Sequence, residues 1–173
     1  LLFFDENDEV TILSGGNFHG EPLALALDFL SIAMTDLGNI SERRIAKLID
    51  NHPEHYPSFL AAHGGLNSGF MLLQYTAAAL CSENKTLAHP DSVDSIPSSG
   101  NVEDHVSMGA NAALHCQQIV ENVRTVIAIE LMSGAQAIDF RLQYNPGMRL
   151  GQGTSKAFQA IREVVPFFEQ DDY

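Results

Sequence analysis

The spacing of apolar residues changes period near residue 20. Before it, Leu1 to Phe4 and Val10 to Leu13 are short apolar runs separated by Asp5-Glu6-Asn7-Asp8, which predicts a β-hairpin over residues 1–13. A two-stranded hairpin is marginal alone, so this one is expected to dock on another surface. From residue 20 to 142 the pattern predicts bundle helices. Pro22 suits a first helical turn, where its missing N–H costs nothing, and Leu23 to Leu37 is rich in Leu and Ala. Gly38-Asn39 is expected to punctuate that helix, with Ser41 capping a further segment through Arg43, Ile45 and Leu48. Pro53 and Pro57 then interrupt the chain between Asn51 and Pro57. Beyond Gly64-Gly65, residues Phe70, Leu73, Ala77, Leu80, Asn84 and Leu87 keep steps of three and four, one buried stripe that stops before Pro90.

The Ser, Pro, Asp and Gly residues of 91–100 signal an irregular connection. Asn101 is a good N-cap, placing Glu103 and Asp104 in the first turn of a long helix. Val106, Ala113, Cys116, Val120, Val123, Ile127, Leu131 and Ile138 extend that helix to about Arg141. Small residues such as Gly109, Ala112, Gly134 and Ala137 allow neighbouring helices to approach closely. Residues 143–173 read as a flexible loop to Thr154 and a short amphipathic helix over Ser155 to Phe168. The fold class is therefore mainly α, a long-helix bundle with a short N-terminal β-hairpin, and nothing marks a domain boundary within 1–173.

Composition narrows the partners. With 22 acidic and 9 basic residues the 173-residue chain carries a formal charge of −13, which disfavours nucleic acid or an anionic membrane surface as the main partner. An unbroken apolar run of about 18 residues, the mark of a membrane-spanning helix, is absent. Cys81 and Cys116 form no Cys-x-x-Cys pair and read as buried thiols of a reducing compartment, so a cytoplasmic location is expected.

Candidate chemistry centres on Ser98 to Met108. Glu103 is either a first-turn residue facing the helix dipole or, on a helix entering an apolar interior, a base or imidazole acceptor whose proton affinity burial raises. His105 reads as a surface or hydrogen-bonding group rather than a catalyst. His52-Pro53-Glu54-His55 places no third ligand and the proline opposes a regular helix, so no metal is expected. Ser14-Gly15-Gly16-Asn17 lacks the Lys-Ser/Thr of a phosphate loop and the spacing of a dinucleotide site, and Phe18 after it reads as a core aromatic. Asn84 falls on an apolar stripe, where a buried amide has to be paired; it can set helix register or approach a ligand.

Six motifs occur in one order: SGGNFHGEP at 14–22, Ile40-Ser41-Glu42-Arg43-Arg44, GGLNSGFM at 64–71, SENK at 82–85 followed by His89-Pro90, VDS at 93–95 and EDHVSM at 103–108. In that order the chain resembles the C-terminal portion of the histidine ammonia-lyases, within the aromatic amino acid lyases that carry a methylidene-imidazolone prosthetic group. The resemblance covers the whole chain but a minority of that family's polypeptide, so both ends are expected to fall inside a longer protein. It implies a mainly helical homotetramer, part of a larger helical lyase fold, that converts L-histidine to trans-urocanate and ammonia. Glu103 matches the family's active-site glutamate, which faces the substrate imidazole, and Phe18 matches the aromatic beside the prosthetic group. Relatives acting on tyrosine or phenylalanine generally carry Gln at the Glu103 position, so Glu103 favours histidine.

Two departures accompany the resemblance. The Ala-Ser-Gly that cyclises to the prosthetic group is absent; Ser98-Ser99-Gly100, Leu13-Ser14-Gly15 and Met132-Ser133-Gly134 lack its alanine. The family's catalytic tyrosine also lies in the N-terminal half, so this chain alone is expected to be inactive. Val102 stands where the family has Gln in an Asn-Gln-Glu-Asp run, removing a donor and an acceptor beside Glu103. The alternatives are a tyrosine or phenylalanine lyase or aminomutase, and a non-catalytic helical assembly module. Unpartnered apolar helix faces predict self-association.

Overall fold

The computed structural model describes residues 2–50 and 52–171; Leu1, Asn51 and residues 172–173, which the sequence reading placed in the hairpin, a loop and the terminal segment, lie outside the described residues. Strands β1 (Leu2–Phe4) and β2 (Val10–Ile12) pair antiparallel with Leu2 opposite Ile12 and Phe4 opposite Val10. The Asp5 carboxylate closes their turn by accepting the backbone N–H of Asn7 at 2.8 Å and of Glu9 at 2.9 Å. Every residue of both strands is exposed, so the expected docking surface is not supplied by the described residues.

Helix α1 (Glu21–Ile49) runs unbroken through Gly38-Asn39. The expected punctuation is a packing device instead. A Cβ on Gly38 would stand 3.2 Å from Val123 Cγ2 and 3.7 Å from Asn84 Nδ2, so glycine here lets α1 lie close against its neighbours. Ser41 likewise caps nothing; it is buried and donates to Glu130 at 2.6 Å. The prolines interrupt the chain as expected, and a short 3₁₀ turn at Ser58–Leu60 leads toward α2 (Met71–Leu87). Phe70, Ala77 and Asn84 are buried and Leu73 and Leu80 partly so, which is the predicted stripe.

Helix α3 (Gly109–Tyr144) starts eight residues later than the proposed cap at Asn101. Ser99, Gly100 and Asn101 all have positive φ, at 51°, 65° and 70°, and Met108 sits at 51° immediately before the helix. A run of left-handed residues cannot begin an α-helix, so Glu103 and Asp104 occupy a loop rather than a first turn. The buried stripe of α3 is also rotated from the expected one. It runs through Ala112, Cys116, Ile119, Val123, Val126, Ile129, Ser133, Gln136 and Phe140, while Leu131 is exposed. Helix α4 (Gln152–Arg162) begins earlier and ends earlier than predicted. Beyond Pro166 the chain returns to the core, with Phe167 edge-on to Phe140 at 5.2 Å and Phe168 edge-on to Phe70 at 5.9 Å.

Helix α1 is built inside out over much of its length. Asp28, Ser31, Gly38, Ser41 and Glu42 face inward, whereas Leu23, Leu25, Phe29, Leu30, Ile32, Leu37 and Ile40 are exposed. By length and composition alone α1 could cross a membrane, an 18-residue stretch of it having a mean hydropathy of 1.4, although Asp28 and Asp36 interrupt its apolar run. In the bundle its polar residues are bound to neighbours. Glu42 accepts two hydrogen bonds from Arg43 and one from Gln74 of α2 at 2.7 Å; Glu130 of α3 accepts from Ser41 and pairs with Arg44 through two hydrogen bonds.

These pairs set an acid limit on stability. The Arg43 hydrogen bonds hold the Glu42 carboxyl below its ordinary value of 4.5 against the opposing effect of burial, and the Arg44 hydrogen bond does the same for Glu130. A carboxylate whose folded pKa is depressed contributes stability that is complete above its unfolded value and disappears as pH falls through the folded one. The unfolding midpoint should therefore be flat with respect to these groups from neutrality to about pH 5 and fall below that. Glu42→Gln should flatten the acid limb; an unchanged limb in denaturant melts across pH would remove Glu42 from it.

Candidate active site

Two loops meet at one end of the bundle, one leading into α1 and the other into α3. The first turns back on itself through the His19 N–H, which donates to Gly16 O at 2.8 Å, and presents Phe18. The second is a tight antiparallel bridge in which Ser98 N–H donates to Glu103 O at 2.9 Å and the Ser98 hydroxyl to Glu103 Oε2 at 3.0 Å. Gly100, at φ 65°, allows the turn between them.

The loops are joined directly. His19 Nε2 lies 2.9 Å from the His105 carbonyl oxygen, the two imidazoles stack with centroids 5.1 Å apart and planes 13° apart, and Glu21 N–H donates to His19 Nδ1 at 3.1 Å. The Ser107 side chain approaches the Gly20 backbone so closely that a Cβ on Gly20 would stand 2.9 Å from Ser107 Oγ. Ser95 braces the second loop, its hydroxyl oxygen accepting Val106 N–H at 3.0 Å and lying 3.0 Å from His105 Nδ1. Deeper in the fold, Asp28 of α1 accepts Ser92 N–H at 2.8 Å. Burial pushes the Asp28 carboxyl up, but hydrogen bonds from the Ser92 side chain and from Ser92 and Asp91 backbone groups, with His115 nearby, outweigh it and hold the pKa below the ordinary value.

Phe18 is thus one residue from a joint whose other side carries Glu103. Neither side chain is buried. Phe18 is 88% exposed rather than the core aromatic expected, because its loop passes over the end of the bundle and not through it. Glu103 is exposed as well, on a loop rather than on a helix entering the interior, and Val102 beside it is 83% exposed. Two cavities among the described residues, of about 330 and 400 Å³, are lined by neither Phe18 nor Glu103. The candidate site is an open wall.

His105 is a hydrogen-bonding group, as expected, but its partner His19 had no signal in the sequence. The pairing spans 86 residues. His52 packs edge-on to Tyr56 at 5.2 Å with Nε2 3.0 Å from Lys47 O, and no group of three or more metal-ligating residues occurs among the described residues. Asn84, fully buried, accepts from Asn122 at 2.9 Å, so its amide joins α2 to α3. Both cysteines are buried and free, and burial pushes the Cys81 thiol up.

At one end of the long-helix bundle two tied loops thus present an exposed carboxylate, Glu103, and an exposed aromatic, Phe18. Residues 2–163 match the aromatic amino acid lyase family model, and the chain belongs to that family. It is 56% identical over 174 aligned residues to the histidine ammonia-lyase of Chloroflexus aurantiacus, an alignment covering 99% of this chain and 33% of that protein. The chain thus spans about a third of the length of the curated relatives it matches. In structure it is similar to a histidine ammonia-lyase from Trypanosoma cruzi, at 48% identity and a TM-score of 0.89 over 99% of this chain and 33% of that one. It is also similar to a tyrosine aminomutase from Streptomyces globisporus, at 37% identity and a TM-score of 0.86, covering 98% of this chain and 32% of that one.

Proposed function

We propose that this chain is part of an enzyme that eliminates ammonia from L-histidine to give trans-urocanate, and that it contributes Glu103 and Phe18 to the pocket. The observation that carries the reading is the presence of Glu103, where relatives acting on tyrosine or phenylalanine generally carry Gln, in a chain 56% identical to a histidine ammonia-lyase. A carboxylate accepts a hydrogen bond from an imidazole N–H, and as an anion makes a stronger one than an amide does. Glu103 then orients the substrate ring. Held by Ser98, the same carboxylate can take a proton from a substrate in hydrogen-bond reach.

The methylidene-imidazolone of this family supplies the electrophile that makes an α-amino group leave, a role no standard side chain fills. Phe18 fits contact with such a planar group, because its ring is almost fully exposed at the open end. Ser98-Ser99-Gly100 does not supply the group, as it lacks the alanine and sits in the exposed 3₁₀ turn Ser99–Asn101. On this reading the chain by itself is inactive. The exposed apolar face of α1 supports assembly into a homo-oligomer, the family's homotetramer, with the cytoplasm as the compartment.

A substrate panel tests the assignment. Full-length protein should release urocanate from L-histidine at least roughly a hundredfold faster, in kcat/KM, than it releases the corresponding acrylates from tyrosine or phenylalanine, since the carboxylate favours a ring with an N–H to donate. Preference for tyrosine or phenylalanine would make the protein a lyase or aminomutase of those amino acids. Val102 bears on the margin, because an isopropyl group offers the substrate no polar contact where Gln offers two.

A further inference from the structure

We propose that His19 is a positioning residue, the tie that fixes the Phe18 loop against the Glu103 loop and so sets the spacing of the two side chains given to the pocket. The proposal rests on the functional reading above for the role of those side chains, and on geometry alone for the tie.

The hydrogen bonds determine how the ring is used. Glu21 N–H donates to His19 Nδ1, so that nitrogen is the acceptor and carries no proton. The proton is on Nε2, which donates to His105 O. One imidazole thereby holds the start of α1 with one nitrogen and the opposite loop with the other. Its flat face is used too, stacked on the His105 ring. His105 is in turn held at Nδ1 by Ser95, whose oxygen also receives Val106 N–H, and Glu21 Oε2 lies 4.0 Å from His105 Nε2. The chain positions matter most. His19 directly follows Phe18 and His105 lies two residues after Glu103, so a shift at the tie is passed to both side chains within one or two peptide units.

Among the described residues the other direct contacts between the two loops are longer or lie nearer the helices. Gly20 and Ser107 meet nearer the helices, and Asp28 holds Ser92 further back, at the base of the second loop. The exposed wall would otherwise rest on the Ser98–Glu103 bridge, which braces one loop internally and says nothing about the distance to Phe18.

Two substitutions separate the far bond from the rest of the ring. Asn reaches only as far as Nδ1 and keeps an acceptor for Glu21, whereas Gln places an amide N–H near the Nε2 position. In the full-length protein His19→Asn should speed amide exchange across residues 95–107 roughly tenfold and lower kcat for urocanate release roughly tenfold, with KM moved less than about threefold. His19→Gln should return both measurements to within about threefold of the parent. Parental exchange in the Asn variant overturns the tie, as does equal impairment of the Gln and Asn variants. The exchange measurement needs no substrate: were L-histidine not turned over by the parent, the functional reading would fail while the exchange contrast still decided the tie.

Discussion

Full-length protein carrying Glu103→Gln is expected to form urocanate from L-histidine about a hundredfold to a thousandfold more slowly than the parent, with its fold unchanged. The substitution is nearly isosteric. Ser98 can still donate to the side-chain oxygen, and the Ser98–Glu103 backbone pairing does not involve the side chain at all. What disappears is the negative charge. In a chain exposed to water that charge is worth little, but on the proposed reading the carboxylate faces an imidazole N–H in a closed pocket of lower dielectric, where the same interaction strengthens. If Glu103 also accepts a proton, an amide cannot do so, and kcat falls more than KM rises. Orientation alone gives the opposite balance. Urocanate absorbance under saturating and limiting substrate distinguishes the two, and equal rates for parent and variant would take Glu103 out of the mechanism.

Much of the helical architecture is legible in residue spacing, and the errors have physical causes. Gly38 reads locally as a helix breaker, yet its meaning is set by Val123, which packs on it from another helix. The composition of Asn101 and the acidic residues after it predicts a cap, whereas Ser99 to Asn101 and then Met108 are left-handed and the helix starts only beyond them. The α3 stripe differs from expectation for another reason. Its buried face includes Asn122, Ser133 and Gln136, so a rule that tracks apolar residue types follows the wrong side of the helix.

The candidate site divides in the same way. Glu103 stands out as a candidate within the Ser98–Met108 run, whereas the pocket roles proposed for it and for Phe18 rest on the ordered motifs. Their exposure was not legible, because burial depends on what lies across the loop and this chain supplies nothing there among the described residues. The inverted surface of α1 has the same origin. Over residues 23–40 its large apolar residues face outward while Asp28 and Ser31 face inward, which leaves an apolar face that the described residues do not cover.

Gln136→Leu is expected to be the most damaging single change away from the site, lowering stability by about 3 kcal/mol. Gln136 is fully buried, and its amide joins three segments. The nitrogen donates to Phe168 O at 2.8 Å and lies 3.4 Å from Leu60 O; the oxygen receives Phe168 N–H at 3.3 Å and Arg162 at 3.4 Å. Leucine fills a similar volume and satisfies none of these groups, so the Phe168 peptide and the Leu60 carbonyl lose their partner in a place water does not readily reach. The Arg162–Asp139 pair at 2.6 Å would survive, as would the Arg162 hydrogen bonds to Val165 and Pro166 carbonyls. Loss should therefore concentrate at Phe167 to Asp171 and at the groove of about 330 Å³ that Phe168 walls with Leu60, Phe70 and Met132. Amide exchange in the full-length variant should accelerate there first, before α3 itself is affected. Uniform acceleration across the bundle would mean that Gln136 supports α3 packing rather than the return of the chain, and an unaltered profile would dismiss it as a hub.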